Sequence, residues 1–168
     1  MTQTVLKNQT SDLKPRLDLI KSDRKLLADA LATELADTYR LLINTQGIHW
    51  NAQGPLFYSI HSLTEKQYQG LFVAIDDIAE RIRALGFPAP QSLTQFEQLA
   101  SVSDLVVNGE LREQILQLVN INETIANHMR DTVKFAGSLG DYRTADLLTQ
   151  RIGEHEQNVW MLRATVAS

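Results

Sequence analysis

Residues 49–80 read HWNAQGPLFYSIHSLTEKQYQGLFVAIDDIAE, and this stretch decides the fold. Segment 51–55 interrupts the helical pattern that precedes it, because its glycine and proline together favour a turn. A second helix is predicted to begin at about Phe57 and to run until Gly86 and Pro88. The stretch therefore predicts two long helices that meet at a short connection.

Apolar residues recur with the 3.6-residue period of an amphipathic helix in three other segments. The first helix is predicted to begin at the N-cap types Ser22 and Asp23 and to continue to His49. The third is predicted to begin near Asn108, and the fourth follows an N-cap at Asp141. Four long helices, with few glycines and prolines, predict an all-α protein.

The connection between the second and third helices is too long for a tight antiparallel turn, because it runs from Pro88 to Asp104. Within it, residues 93–99 have the pattern of a short extra helix. A four-helix bundle with one long crossover is the ferritin-like topology. We therefore expect one ferritin-like four-helix-bundle domain over residues 22–168, preceded by a flexible N-terminal tail at residues 1–21.

The composition excludes several classes of site and partner. The 168 residues include no cysteine, which removes disulfides, thiolate metal sites and cysteine nucleophiles and is typical of a reducing compartment. A net charge of −4 argues against a surface built mainly to bind nucleic acid. No apolar run approaches the ~18 residues of a membrane span, and the N-terminus lacks the apolar core of a signal peptide. We expect a cytoplasmic protein without a membrane partner.

Five potential metal ligands fall within the stretch 49–80, namely His49, His61, Glu65, Asp76 and Glu80. The pairs His61/Glu65 and Asp76/Glu80 are each spaced four residues apart, so each pair projects from one face of a helix. Imidazole nitrogen combined with carboxylate oxygen suits iron, manganese or zinc. The chain contains no Glu-x-x-His motif, which excludes the usual di-iron arrangement inside a single bundle.

The spacing of these ligands predicts a site shared by two chains. Glu65 and Asp76 are about 16 Å apart along one helix, so that one ion cannot reach both. An antiparallel copy, related by a two-fold axis with its midpoint near Gly70, would place its Asp76 pair opposite the His61 pair. Gly70 would also permit a close approach of the two helices. His49 would join His61 from the same chain. The alternative is a solvated carboxylate face, with a histidine that caps the end of the first helix.

Residues 49–61 (HWNAQGPLFYSIH) and 76–81 (DDIAER) resemble the ferroxidase signature of the Dps family, the DNA-binding proteins from starved cells. The similarity continues through residues 140–148 (GDYRTADLL) and 155–163 (HEQNVWMLR), so it covers nearly the whole chain after residue 22. One position departs from the pattern, because the acid four residues after the second histidine is usually Asp in the family and is Glu65 here. The longer side chain keeps the ligand type.

The resemblance implies a hollow dodecamer whose inter-subunit sites each bind two ferrous ions. Such a ferroxidase oxidises the iron with hydrogen peroxide, stores ferric mineral in its cavity and protects DNA from oxidative damage, and zinc is a substitute metal. Asp141 and Asp146 match acids that line the iron entry pores in the family. The alternatives are an N-cap at Asp141 and a solvated first-turn acid at Asp146.

DNA is a weak partner in this interpretation, since residues 1–21 carry only a mild positive excess that twelve copies would multiply. The alternative function is a nucleoid-associated, DNA-binding assembly protein in which metal binding is secondary or redox-inert. His128 and His155 are predicted to be core histidines. Trp50 is predicted to pack beside a ligand, with radical quenching as the alternative role.

Overall fold

The computed structural model of the chain describes residues 17–106 and 109–167. Within these residues it contains five helices and no strand, which confirms the all-α class. The helices are α1 (Lys21–Asn51), α2 (Phe57–Ala84), α3 (Leu93–Leu99), α4 (Leu111–Ser138) and α5 (Tyr142–Thr165). The short helix α3 lies in the crossover between α2 and α4, as predicted. Residues 1–16 of the predicted tail lie outside the described part of the chain.

The four long helices form a bundle in which α1 pairs with α2 and α4 pairs with α5. Helix α1 also packs against α4, and α2 packs against α5, so that each long helix contributes one face to a common interior. Leucine and isoleucine fill that interior. The largest side chains that are fully buried are Leu27, Leu31, Leu35, Leu41, Ile48, Ile60, Leu71, Ile78, Ile82, Leu85, Ile115 and Leu118.

Helices α1 and α2 run antiparallel on either side of residues 52–56. Gly54 in this connection has φ 82°, a left-handed conformation that glycine adopts without steric cost. At the other end of the pair, Arg24 Nη1 donates a hydrogen bond of 2.7 Å to the Leu85 carbonyl. This bond joins the start of α1 to the end of α2. The connection at residues 52–56 joins the end of α1 to the start of α2, where the first predicted ligands lie.

The crossover is fastened to α1 through a buried carboxylate. Asp37 accepts hydrogen bonds from the Ser101 amide at 2.6 Å, from the Ser101 hydroxyl at 2.6 Å and from the Val102 amide at 3.1 Å. The rings of Tyr39 and Phe96 stack with centroids 4.6 Å apart and so join α3 to α1. None of the described helices is both long and apolar enough to cross a membrane.

Two predicted details differ from the structure. Helix α1 begins at Lys21 with Ile20 as its N-cap, and it has no side-chain cap because Ile20 carries no polar side-chain atom. The predicted cap residues Ser22 and Asp23 lie inside its first turn. Gly70 does not lie on the face of α2 that carries the predicted ligands. It lies nine residues after His61, about half a turn away around the helix, and a Cβ there would lie 3.6 Å from Glu154 of α5 in the same chain.

Candidate metal centre

His49 and His61 form a tight pair where α1 ends and α2 begins. Their imidazole rings stack with centroids 3.8 Å apart and planes inclined by 17°. His49 is buried, and His61 is half-buried. The antiparallel pairing of α1 with α2 brings together two histidines that are twelve residues apart in the chain, as the sequence predicted.

Each histidine of the pair is oriented by the main chain of the other. His49 Nδ1 donates to the His61 carbonyl at 2.9 Å, and His61 Nδ1 donates to the His49 carbonyl at 2.9 Å. A carbonyl oxygen can only accept, so both Nδ1 atoms carry the hydrogen, and Nε2 is the ring nitrogen left to bind a metal. A carbonyl bonded to the remote ring nitrogen is the usual support for a histidine that ligates a metal through the other nitrogen.

The three predicted carboxylate ligands are exposed on α2. Glu65 lies one turn after His61, whereas Asp76 and Glu80 lie toward the far end of the helix. Within the described residues none of the three makes an ion pair or hydrogen bond with another side chain. The basic residues of α2, namely Lys66, Arg81 and Arg83, thus form no ion pair with these acids.

The histidine pair and the carboxylate pair do not meet in one chain. No group of three or more His, Asp or Glu side chains in residues 17–106 and 109–167 is close enough together to hold an ion. Between the histidine pair and the carboxylate pair, Phe72 is 70% exposed and Val73 is 60% exposed. The predicted ligands on α2 thus form two separate groups, called here the histidine half-site and the carboxylate half-site, with exposed apolar residues between them.

Asp141 has the environment of a structural N-cap. Its oxygens accept from the Thr144 amide at 3.1 Å and from the Thr144 hydroxyl at 2.5 Å, and both lie 2.7 Å from Arg81 Nη2. Burial alone would raise the pKa of this carboxyl, but the hydrogen bonds from Arg81 and Thr144 outweigh burial and lower the pKa below its usual value. These contacts favour the N-cap alternative over the predicted pore ligand, since neither oxygen is left for an ion.

Asp146 remains available on the surface of α5. Arg143 lies 3.5 Å from its carboxylate, and the Gln150 amide donates to it at 3.1 Å. Both contacts are exposed, and a surface pair of this kind contributes little to stability. The role of Asp146 at an iron entry pore stays a prediction.

The other two histidines differ from each other. His155 is fully buried, as predicted, and its Nδ1 donates to the Asn122 side-chain oxygen at 2.9 Å. Burial, assisted by the positive charge of Arg151, lowers the pKa of His155 to about 3, so the ring stays neutral. The core prediction for His128 is wrong, because its side chain is 45% exposed and Nδ1 lies 3.2 Å from the Ser101 hydroxyl.

Two aromatic neighbours of the histidine pair were not predicted as part of the site. The Tyr68 ring meets His49 nearly edge-on, with centroids 5.1 Å apart and planes at 75°. The Phe57 ring lies 5.1 Å from that of His61. The available signal was that Tyr68 follows His61 by seven residues, two helical turns, and so lies on the same face.

The chain is similar in sequence to a known family and to known proteins over most of its length. A family model described as a ferritin-like domain matches residues 28–168. An uncharacterized low temperature-induced protein of Nostoc sp. is 37% identical over 158 residues, which cover 90% of this chain and 87% of the relative. A DNA protection during starvation protein of Porphyromonas gingivalis is 34% identical over 133 residues, which cover 77% of this chain and 82% of the relative.

A solved structure is similar over almost the entire length. It is the crystal structure of a Dps protein from Vibrio cholerae O1, described as a member of a broad superfamily of ferritin-like diiron-carboxylate proteins. The TM-score is 0.85 at 31% identity, and the match covers 92% of this chain and 98% of that one. At the level of the family, these similarities support iron binding, iron storage and DNA protection. The chain belongs to the Dps family of ferritin-like proteins.

Proposed function

We propose that this protein is a ferroxidase that oxidises ferrous iron with hydrogen peroxide at sites shared by two subunits. The ferric product is stored in the cavity of a hollow dodecamer, and removal of iron and peroxide protects DNA. The observation that carries the proposal is the reciprocal bonding of His49 and His61, because it leaves both Nε2 lone pairs free for a metal. Iron is the substrate and cargo in this reaction, and zinc would occupy the same ligands without redox chemistry.

The sharing of each site by two chains is supported by the symmetry of α2. His61 and Glu80 lie equally far from the midpoint between Gly70 and Leu71, and Glu65 and Asp76 do as well. A two-fold axis through that midpoint would therefore bring His61 and Glu65 of each chain opposite the Asp76/Glu80 pair of the other chain. The dimer would then contain two equivalent sites. The exposed Phe72 and Val73 lie near this midpoint, where an isologous contact would bury them.

The ligand types suit the proposed reaction. Two ferrous ions release one electron each, and hydrogen peroxide takes up two electrons and two protons to give two waters. Delivery of both electrons together avoids the one-electron reduction of peroxide to hydroxyl radical. Carboxylates offset the higher charge of ferric iron, and the imidazoles of His49 and His61 bind ferrous iron without adding charge. Glu65 belongs to the same set, with a longer reach than the usual family aspartate.

The remaining parts of the proposal concern entry, partners and location. Asp146 is proposed to line the pore through which ferrous ions enter, where carboxylates at a channel mouth would raise the local cation concentration. DNA is proposed as a weak partner through the N-terminal tail, most of which lies outside the described residues. The location proposed is the cytoplasm, including the nucleoid. A nucleoid-binding assembly protein with redox-inert metal is the alternative function.

The experiment that tests the proposal is anaerobic loading with ferrous ion, followed by stoichiometric hydrogen peroxide, while ferric absorbance is recorded. The double variant His61→Ala/Asp76→Ala removes one ligand from each half-site. The matched control is His128→Ala/Asp77→Ala, which removes the same residue types at exposed positions outside the predicted ligand set. We expect rapid oxidation by the wild type and the control, and loss of oxidation in the site variant although it still assembles.

Two outcomes would contradict the proposal. Oxidation by the wild type that does not exceed the iron-only reaction would exclude a ferroxidase. Salt-sensitive retention of DNA by that inactive protein would then favour the nucleoid-binding alternative. Equal rates for the site variant and the wild type would place the oxidation elsewhere in the molecule.

A further inference from the structure

His49 lies between two rings of α2 that are two helical turns apart. On one side the His61 ring stacks on it at 3.8 Å, and the Tyr68 ring meets it nearly edge-on at 5.1 Å. Phe57 packs against His61 at 5.1 Å. These four rings, in the order Phe57, His61, His49 and Tyr68, form a continuous aromatic series that ends at Tyr68.

The orientation of the His49 ring determines whether the site can bind a metal. The torsion about the Cβ–Cγ bond of histidine is soft and has two broad minima, so packing decides which orientation is populated. Turning the ring by half a revolution would replace Nδ1 with a carbon and remove the hydrogen bond to the His61 carbonyl. An aromatic ring in edge contact with the imidazole restricts this rotation, and Tyr68 is that ring.

The contact of Tyr68 is made by its ring. Among the described residues the Tyr68 hydroxyl forms no hydrogen bond. Tyr68 lies one turn after Glu65 and one turn before Phe72 on the same face of α2, and it is half-buried in the single chain. It therefore borders the histidine half-site on the side of the apolar midpoint.

We propose that Tyr68 is a positioning residue of the metal centre, whose ring holds the His49 imidazole in the orientation that offers Nε2 to the metal. The inference rests on the proposed metal site and adds to it a residue that is not a ligand. Loss of the ring would leave His49 with one orienting contact fewer. The metal affinity should then fall, whereas loss of the hydroxyl alone should have no effect.

Cobalt(II) is a suitable probe, because it binds nitrogen and oxygen ligands, is not oxidised under these conditions and absorbs visible light with a spectrum that reports its ligand geometry. The assembled protein is titrated with cobalt(II) as the wild type, Tyr68→Phe and Tyr68→Leu. Tyr142→Leu, at an exposed tyrosine at the start of α5, is the matched control. We expect Tyr68→Leu to bind cobalt about three- to tenfold more weakly with a shifted visible spectrum. Tyr68→Phe and Tyr142→Leu should match the wild type.

The outcomes separate this inference from the proposed function. Wild-type affinity and spectrum in Tyr68→Leu would overturn the positioning role while leaving the metal site in place. Weakening by Tyr68→Phe as large as that by Tyr68→Leu would also overturn it, because the hydroxyl would then be the active group. Absence of cobalt binding by the wild type, or binding unaffected by His61→Ala, would overturn the metal site itself. Should Tyr68→Leu fail to assemble, Tyr68→Met, which is apolar and lacks a flat ring, replaces it with the same criteria.

Discussion

The two half-sites of α2 are prepared to different degrees within one chain. The histidine half is packed and bonded, since His49 and His61 orient each other through carbonyl hydrogen bonds and stacked rings. The carboxylate half, Asp76 and Glu80, is exposed and has no side-chain partner among the described residues. A neutral imidazole can be buried at little cost, whereas an unpaired carboxylate is costly to bury and is best left in water until a cation arrives. One chain can therefore complete only the nitrogen half in advance.

The largest expected effect on iron oxidation comes from removing the histidine in one variant and the carboxylate in another, and then assembling the two variants together. His61→Ala and Asp76→Ala should each abolish nearly all peroxide-dependent ferrous oxidation, because each variant damages every shared site. Mixed dimers of the two variants would contain one doubly damaged site and one intact site. Random co-assembly should therefore restore about a quarter of the wild-type sites. The measurement is the amplitude of ferric absorbance after unfolding and refolding the two variants together.

The control is the same two variants refolded separately and mixed afterwards, which should remain inactive. Failure of the co-assembled sample to regain activity, with mixed assemblies demonstrated by differently tagged chains, would mean that each site lies within one chain.

A charge at the midpoint of α2 should break the contact between halves without unfolding the chain. Phe72 is 70% exposed in the single chain, so Phe72→Glu should leave the helices intact. Near a two-fold axis two such glutamates would face each other, and like charges in contact cost several kcal/mol. Association should weaken by about a hundredfold or more, as measured by sedimentation velocity, with unchanged far-ultraviolet circular dichroism. Thr149→Glu, which adds the same charge to an exposed position of α5, should assemble normally.

The carboxyl group of Glu34 is buried, unlike the exposed carboxylates of Asp76 and Glu80. Glu34 is almost fully buried in α1, accepts one hydrogen bond of 3.1 Å from Thr132 and leaves its Oε2 without a partner in the described structure. Burial raises the pKa of Glu34 to about 8, against the opposing hydrogen bond from Thr132 and with a smaller contribution from the charge of Asp37. The interior therefore holds this carboxyl in its protonated form near neutral pH.

The sign of the resulting pH dependence follows from proton binding. Between the ordinary pKa of 4.5 and about 8, the folded chain holds a proton on Glu34 that the unfolded chain lacks. The free energy of unfolding should therefore fall as the pH rises through this window, by a few kcal/mol in total. Glu34→Gln should remove this slope and stabilise the protein at pH 8 by about 2–4 kcal/mol. Urea unfolding at several pH values measures it, with Glu97→Gln at an exposed site as the control.

Below its ordinary pKa of 6.5, His155 contributes a slope of opposite sign, because the unfolded chain gains a proton there that the folded chain excludes down to about pH 3. A Glu34→Gln protein that still loses stability between pH 6.5 and 8 would show that another group causes the alkaline slope.

The helical pattern predicted the fold because it depends on a local period. The four long helices, the short helix at residues 93–99 and the N-cap at Asp141 were all readable from apolar spacing and capping residues. The start of α1 was misplaced, since Ile20 has no side-chain capping signal. His128 was wrongly assigned to the core, because helical spacing alone does not show how far neighbouring segments cover a side chain, and this one is 45% exposed.

The sequence was enough to propose the ligand set, but it did not show the contacts that support these side chains. Spacing along one helix is enough to place Glu65 near His61 and away from Asp76. The carbonyl bonds of the histidine pair and the edge contact of Tyr68 depend on the exact pairing of α1 with α2, which no local pattern encodes. The same applies to Asp141, whose pairing with Arg81 joins residues sixty positions apart in the chain.

The smallest expected effect distinguishes two acids that the family resemblance placed in the same role. Asp146→Asn should change the free energy of unfolding by less than about 0.5 kcal/mol, because its contacts are exposed. It should slow the uptake of ferrous iron about two- to threefold if the residue lines a pore. Asp141→Asn should instead lower the free energy of unfolding by about 3–5 kcal/mol, because it leaves the guanidinium of Arg81 without its buried partner. Thermal unfolding and stopped-flow iron uptake, measured on both variants, separate the two roles. Slower uptake in Asp141→Asn at a temperature where it is fully folded would return Asp141 to the pore, and unchanged uptake in Asp146→Asn would remove Asp146 from it.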